Sequence, residues 1–294
     1  GLLCGSAAWA QCKDPGSTML WQVEGGNGAS VSLLGSIHVG KPDFYPLPAV
    51  VDQRFRGANT LVFEVDPASA QSPEAVVSMQ ARGMLAGDKT LEQIIDAQTM
   101  TSLKDVMQKQ NMPMMVVERM KPWMISMVLT ALQVQALGYD PQYGVESYLV
   151  SHKPASTAIA ELESLDSQLA LLDSFDQATL LRYSLQDYSD TSNQMEAMVS
   201  AWRCGDHRRL ADILFEARQQ LHNQPPAQAA ALEKLMRQLF DERNVHMADK
   251  IEGYLKTGKG SYLVTVGAGH LLGDGSVIAL LQQRGFKVTP VRSK

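Results

Sequence analysis

The chain carries two copies of Gly-x-x-His, Gly35-Ser36-Ile37-His38 and Gly267-Ala268-Gly269-His270, each just after a short apolar run. Those runs, over 31–34 and 262–266, read as buried strands closed by glycine. In open α/β sheets, ligands and chemistry collect at the carboxyl ends of the strands. Glycine ahead of a histidine permits a sharp turn and a close approach by another group. Two imidazoles presented this way can meet at one site although they stand far apart in sequence. Metal binding or acid–base catalysis would be their chemistry.

The carboxylates sharpen that expectation. Glu64 sits inside Leu61-Val62-Phe63-Glu64-Val65, an expected strand over 60–66, where a charge needs a partner. Glu163, with Glu161 close by, ends a second expected strand over 157–163. Two histidines and one or two carboxylates suit zinc, manganese or another divalent first-row ion. An open coordination position would turn bound water into a nucleophile, and a free carboxylate would serve as general base. On the expected long last helix, Arg243 and Asn244 are suited to hold a carboxylate or stabilise an oxyanion. His246 shares their helix and could share a face with Arg243 and Lys250.

Other chemistries find no support in the residues. There is no His-Glu-x-x-His and no Gly-x-Ser-x-Gly, which disfavours the common zinc proteases and the serine hydrolases. Gly267-x-Gly269 lacks the rest of a dinucleotide fingerprint. The methionines at 107, 112, 114, 115, 120, 124 and 127 are read as helix packing rather than a copper(I) site. His152, His207 and His222 read as exposed. A net charge of −5 and the absence of a basic run argue against nucleic acid. No apolar stretch is long enough for a membrane span.

These residues must be positioned by elements at both ends of the chain. The opening reads as a hairpin turning at Asn27-Gly28, followed by a short helix to about Gly57 and the strand over 60–66. The close reads as strand, helix, strand over 261–266, 274–285 and 287–291. Between about 70 and 258 the pattern is helical except at 157–163, with a capping box at Thr90–Gln93. The expected fold is α/β, a central mixed sheet built largely from the two ends with a large helical insertion, forming one domain over 11–294. The first ten residues read as the tail of a signal peptide ending in Ala8-Trp9-Ala10, which puts the mature start at Gln11. Cys12 and Cys204 then remain, and an exported chain with two cysteines points to one disulfide.

Taken in order, several segments resemble the TraB/GumN/Tiki family, particularly its small exported bacterial members. They are Leu34-Gly35-Ser36-Ile37-His38-Val39-Gly40, Phe63-Glu64-Val65-Asp66, Tyr143-Gly144-Val145-Glu146-Ser147-Tyr148-Leu149, Glu161-Leu162-Glu163-Ser164, Glu242-Arg243-Asn244 and Val266-Gly267-Ala268-Gly269-His270-Leu271-Leu272-Gly273. Glu146 departs from the pattern, where aspartate is more usual, and its role stays open with those of Glu161 and His246. The resemblance implies a periplasmic or secreted metal-dependent peptidase acting on a peptide or protein. His38, Glu64 and His270 would hold manganese, cobalt or zinc. Glu163 would be base or further ligand, and Arg243 and Asn244 would position substrate or stabilise charge. The same family is distantly similar to erythromycin esterases, which leaves a metal-independent hydrolase as the alternative. A third possibility is a protein that sequesters peptides without cutting them.

Overall fold

Six short strands, β1 (Leu20–Glu24), β2 (Ser30–Ser36), β3 (Thr60–Phe63), β4 (Ala158–Glu161), β5 (Ser261–Gly267) and β6 (Lys287–Pro290), join in the order β4-β3-β5-β2-β1-β6 in the computed structural model. Residues 12–24, 28–186, 188, 191–257 and 259–293 are described. The expected leader, the Gln11 start, the Asn27 half of the hairpin turn and the helix end at Gly258 lie outside them.

β1 pairs antiparallel with β2 and β6, while β2, β5, β3 and β4 run parallel to one another. The sheet is therefore mixed, with five strands pointing one way and β1 against them. β2 is buried from Val31 onward and β5 from Leu263 to Val266, as expected of central parallel strands covered on both faces. Their register, Leu33 opposite Val264 and Ser36 opposite Gly267, brings the two Gly-x-x-His segments out at the same edge.

Among the described residues, fourteen helices surround the sheet. The first six are α1 (Ala49–Gly57), α2 (Pro67–Ala70), α3 (Pro73–Gly83), α4 (Ala97–Lys109), α5 (Pro122–Ala136) and α6 (Val145–His152). After β4 come α7 (Leu165–Ser174), α8 (Gln177–Gln186), α9 (Thr191–Arg203), α10 (His207–Leu214), α11 (Glu216–Gln219), α12 (Pro226–Met236) and α13 (Glu242–Thr257). α14 (Val277–Gln283) links β5 to β6. The two crossovers β2-α1-β3 and β5-α14-β6 run in opposite directions across the sheet, so right-handed connections put α1 and α14 on opposite faces. Met247, Ala248, Ile251 and Leu255 of α13 are fully buried in the main core with the strands. α4, α5 and α8 build a separate core around Leu103, Met107, Ile125 and Leu129. Most of the methionine cluster packs there or against Trp123, and Met115 and Met127 are exposed.

Two strands stop earlier than the sequence pattern predicts. β3 ends at Phe63 because Asp66 caps α2, accepting the Ala68 N–H at 3.0 Å. Glu64 thus sits one residue past the strand and not at its centre. β4 ends at Glu161, yet Leu162 and Glu163 still donate their N–H groups to the carbonyls of Phe63 and Glu64 at 2.8 and 2.7 Å. Glu161 accepts the Asp66 N–H at 2.7 Å and so ties the two turns together.

Cys12 and Cys204 form a disulfide with a Cα–Cα distance of 5.3 Å, joining the N-terminal arm to the end of α9. The arm runs so close to Gly205 that a Cβ there would lie 2.5 Å from the Thr18 nitrogen, and Gly205 also has a positive φ of 57°. His207, read from the sequence as exposed, is half-buried here. It bonds the Thr18 carbonyl at 2.8 Å and packs on Trp21 because the arm covers it. His152 and His222 are exposed.

Candidate functional site

His38 follows β2 on a turn held by α6. The Val145 N–H bonds the Ile37 carbonyl at 3.1 Å, and Gly144 lies so close that a Cβ would stand 2.3 Å from the His38 carbonyl oxygen. This docking brings Glu146, in the first turn of α6, to His38 Nδ1 at 2.9 Å, and Ser36 Oγ donates to the same carboxylate oxygen. The Nδ1–H of His38 therefore faces Glu146, while Nε2 turns toward Gly267 and Glu64. Glu146 pulls the His38 pKa up to about 9, against the opposing effect of desolvation. The His38 side chain keeps 67% of its surface open to water, which screens the pair.

His270 lies in a single turn after β5 and is only 4% exposed. Its Nδ1 meets Asn244 Oδ1 at 2.6 Å, and the Asn244 amide donates to the Gly275 carbonyl at 2.8 Å. That second bond fixes the amide with its oxygen toward the ring, so Nδ1 carries the proton and Nε2 presents a lone pair. Burial pushes the His270 pKa down to about 4. Its Nε2 stands 3.8 Å from Glu64 Oε1. The two histidines thus have opposite partners, a carboxylate for one and an amide for the other, and opposite protonation states at neutral pH.

Arg243 joins the glutamates. Nη2 donates to Glu64 Oε2 at 2.6 Å and to Glu163 Oε2 at 2.7 Å, and Nε donates to Glu163 Oε1 at 2.9 Å. The other Glu64 oxygen accepts the Gly267 N–H at 2.7 Å. Burial alone would raise the Glu64 pKa, but the surrounding histidines, Arg243 and the Gly267 N–H outweigh it and hold it near about 2. Because His270 is neutral at neutral pH, His38 and Arg243 are the cations that keep Glu64 ionised there.

His38, Glu64, Arg243 and His270 share one cavity of about 260 Å³ at the carboxyl edge of the sheet. These four come together there although they are dispersed in sequence, whereas Glu163 and Asn244 do not line the cavity. Glu163 and Asn244 stand behind the cavity wall: Gln168 and Arg243 occupy the Glu163 oxygens, and Asn244 faces the His270 ring. Contacts of this kind make Glu163 an anchor for Arg243 and leave it poorly placed as a base. Arg243 holds the protein's own carboxylates, and His246 is exposed on α13 away from the cavity lining.

The donor set does not fit a divalent ion as arranged. Both Glu64 oxygens already take N–H donors, a guanidinium lies between the two glutamates, and His38 binds Glu146. Among the described residues, no three His, Cys, Asp or Glu side chains converge as a ligand group. The partner that half-buried Glu64 finds is a guanidinium.

Comparison with known proteins agrees with the ordered motifs. The profile of the TraB/PrgY/gumN family matches residues 19–290. The chain belongs to the TraB/PrgY/gumN family. It is 27% identical over 257 residues to Uncharacterized protein YbaP of Escherichia coli (strain K12), covering 85% of this chain and 87% of that one. The protein of the same name from Shigella flexneri matches to the same extent. No solved structure matches the chain significantly. The TraB/PrgY/gumN match spans both Gly-x-x-His segments and every residue of the His–Glu–Arg centre.

Sequence reasoning left Glu146 open and did not find Ser36 or Phe240. Glu146 stands in the quoted Gly144-Val145-Glu146 segment, but only the docking of α6 shows its partner. Phe240 lies in a π-helical turn, Arg237–Asp241, that joins α12 to α13. Its ring is 5.4 Å from that of His270. Such turns are frequent at functional sites, and a continuous helical pattern gives no sign of one.

Proposed function

We propose that this protein is an exported hydrolase that cleaves an acyl bond, in a peptide or an ester, with two histidines as its acid and base. The observation that carries the reading is the split in their partners: His270 Nδ1 on the Asn244 amide, His38 Nδ1 on the Glu146 carboxylate, both rings beside Glu64. Environments that push two titratable groups apart assign the acid and the base.

In this mechanism His270 Nε2 takes a proton from water as the oxygen attacks the substrate carbonyl. Glu64, 3.8 Å away, stabilises the imidazolium that forms. His38 Nε2–H protonates the leaving nitrogen or oxygen as the tetrahedral intermediate collapses. The products are an acid and an amine or alcohol, and solvent returns the proton from His270 to His38. Arg243 keeps Glu64 ionised and in place, with Glu163 fixing the guanidinium. Export is supported by the disulfide, which belongs to an oxidising compartment. Among the described residues no helix is long and apolar enough to cross a membrane.

The test is hydrolysis of a peptide and ester panel by tag-free protein, with chelator and across pH. Activity should survive chelation and follow a bell, rising as His270 loses its proton near about 4 and falling as His38 loses its own toward about 9. Loss of turnover with chelator, restored by manganese, cobalt or zinc, would return the chemistry to a metal. Tight peptide binding with no cleavage would favour the sequestering protein.

A further inference from the structure

The cavity beside the histidines has two unlike halves. Its floor is the polar edge of the sheet, and its roof is apolar, made by Met198 and Trp202 of α9, Leu214 of α10 and Phe240 of the π turn. The roof is anchored. Trp202 Nε1 donates to the Gly35 carbonyl at 2.9 Å, and Phe240 is wedged between Phe215 and His270 with ring centroids 5.2 and 5.4 Å away. The indole N–H is thereby spent, and these side chains offer no hydrogen bond to a guest. A polar group placed under them would lose its water without compensation.

Size narrows the guest further. An apolar cavity of about 150 Å³ binds benzene, and pockets for drug-sized molecules run from about 300 Å³. At about 260 Å³, including the polar floor, this space suits one side chain or short acyl group. Orientation follows from exposure. The His270 side chain is 6% exposed, whereas the His38 side chain is 67% open to solvent. The leaving group, which His38 protonates, departs on the open side, and the acyl side lies inward.

We infer that the apolar half of the cavity is a specificity pocket for one uncharged side chain or acyl group, the size of a leucine, methionine or phenylalanine side chain, on the carbonyl side of the bond cleaved. The assignment of sides rests on the hydrolase reading; the pocket's preference for an uncharged apolar group does not.

Binding and turnover are therefore measured separately. Acetate, succinate, hexanoate, 3-phenylpropionate and dodecanoate are titrated against the intact protein by tryptophan fluorescence and calorimetry, and the matching p-nitrophenyl esters are assayed for hydrolysis. Hexanoate and 3-phenylpropionate should bind at least about tenfold more tightly than acetate or succinate. Dodecanoate should gain nothing further. Leu214→Ala should move the optimum to a longer chain, and Leu214→Trp should move it to acetate. Equal affinity for all five acids, preference for succinate, or an optimum unmoved in both folded variants would overturn the pocket. Selective binding with no hydrolysis of any ester or peptide would remove the hydrolase and leave the pocket standing. Hydrolysis that favours charged acyl groups would do the reverse.

Discussion

At the scale of single residues, the site depends on which atom faces each imidazole. Asn244 is the clearest case, because its amide has both ends committed, to His270 Nδ1 and to the Gly275 carbonyl. Asn244→Asp keeps the shape and replaces the amide with a carboxylate. His270 would then have the same kind of partner as His38, and its pKa should rise from about 4 past its ordinary value. The acid limb of the pH–rate profile should move up with it. Losing the donor to Gly275 should cost roughly 1–3 kcal/mol of stability. Histidine proton resonances and the rate profile measured on one sample check both parts; an acid limb that stays put would remove His270 as the base. His38 and His270 stand out in the sequence because glycine-closed apolar runs mark strand ends, and Glu64 because a charge within an apolar run needs a partner. Glu146 was not assignable, since its role comes from a helix packed across the turn.

At the scale of elements, the site is made where strand ends, a helix start and a distorted helix meet. The parallel register that brings Ser36 opposite Gly267 could be expected from two similar strand ends. The exact stops of β3 and β4 could not, because capping by Asp66 ends one and a turn into α7 ends the other. The π turn was equally hidden, since local hydrophobic spacing through Pro226–Met236 and beyond reads as one helix. Its close fit to the β5 turn is testable at Gly269, where an added Cβ would lie 2.8 Å from Phe240 Cε1 and 3.6 Å from Leu214 Cδ1. Gly269→Ala should push Phe240 off His270 and destabilise by about 1–3 kcal/mol through overpacking. Gly57→Ala is the control, because nothing lies within 4 Å of its added Cβ. Urea unfolding of the two variants should separate them; equal midpoints would mean that the π turn yields freely.

At the scale of the whole molecule, the two ends of the chain make most of the sheet, and the helices between them must return to roof the site. The Cys12–Cys204 bond acts on that return path, tying the arm before β1 to a point two residues past Trp202, across 192 residues of sequence. Composition and the leader-like start of the chain pointed to this pairing, although neither could show that the bond ends beside the cavity roof. A loop of that size removes enough unfolded-chain entropy for about 5 kcal/mol in the chain-entropy model, and removing a native disulfide commonly costs about 2–5 kcal/mol. For a chain of this length the loss corresponds to a Tm lower by roughly 3–8 °C. Cys12→Ser and Cys204→Ser should each show it. The double variant should show no more than either one, since both members of a single bond are one interaction. The reduced wild-type protein should match all three. Calorimetry under oxidising and reducing conditions measures the set, and a Tm indifferent to reductant would mean that the arm, held by Ser17 and His207 through hydrogen bonds, needs no covalent tie.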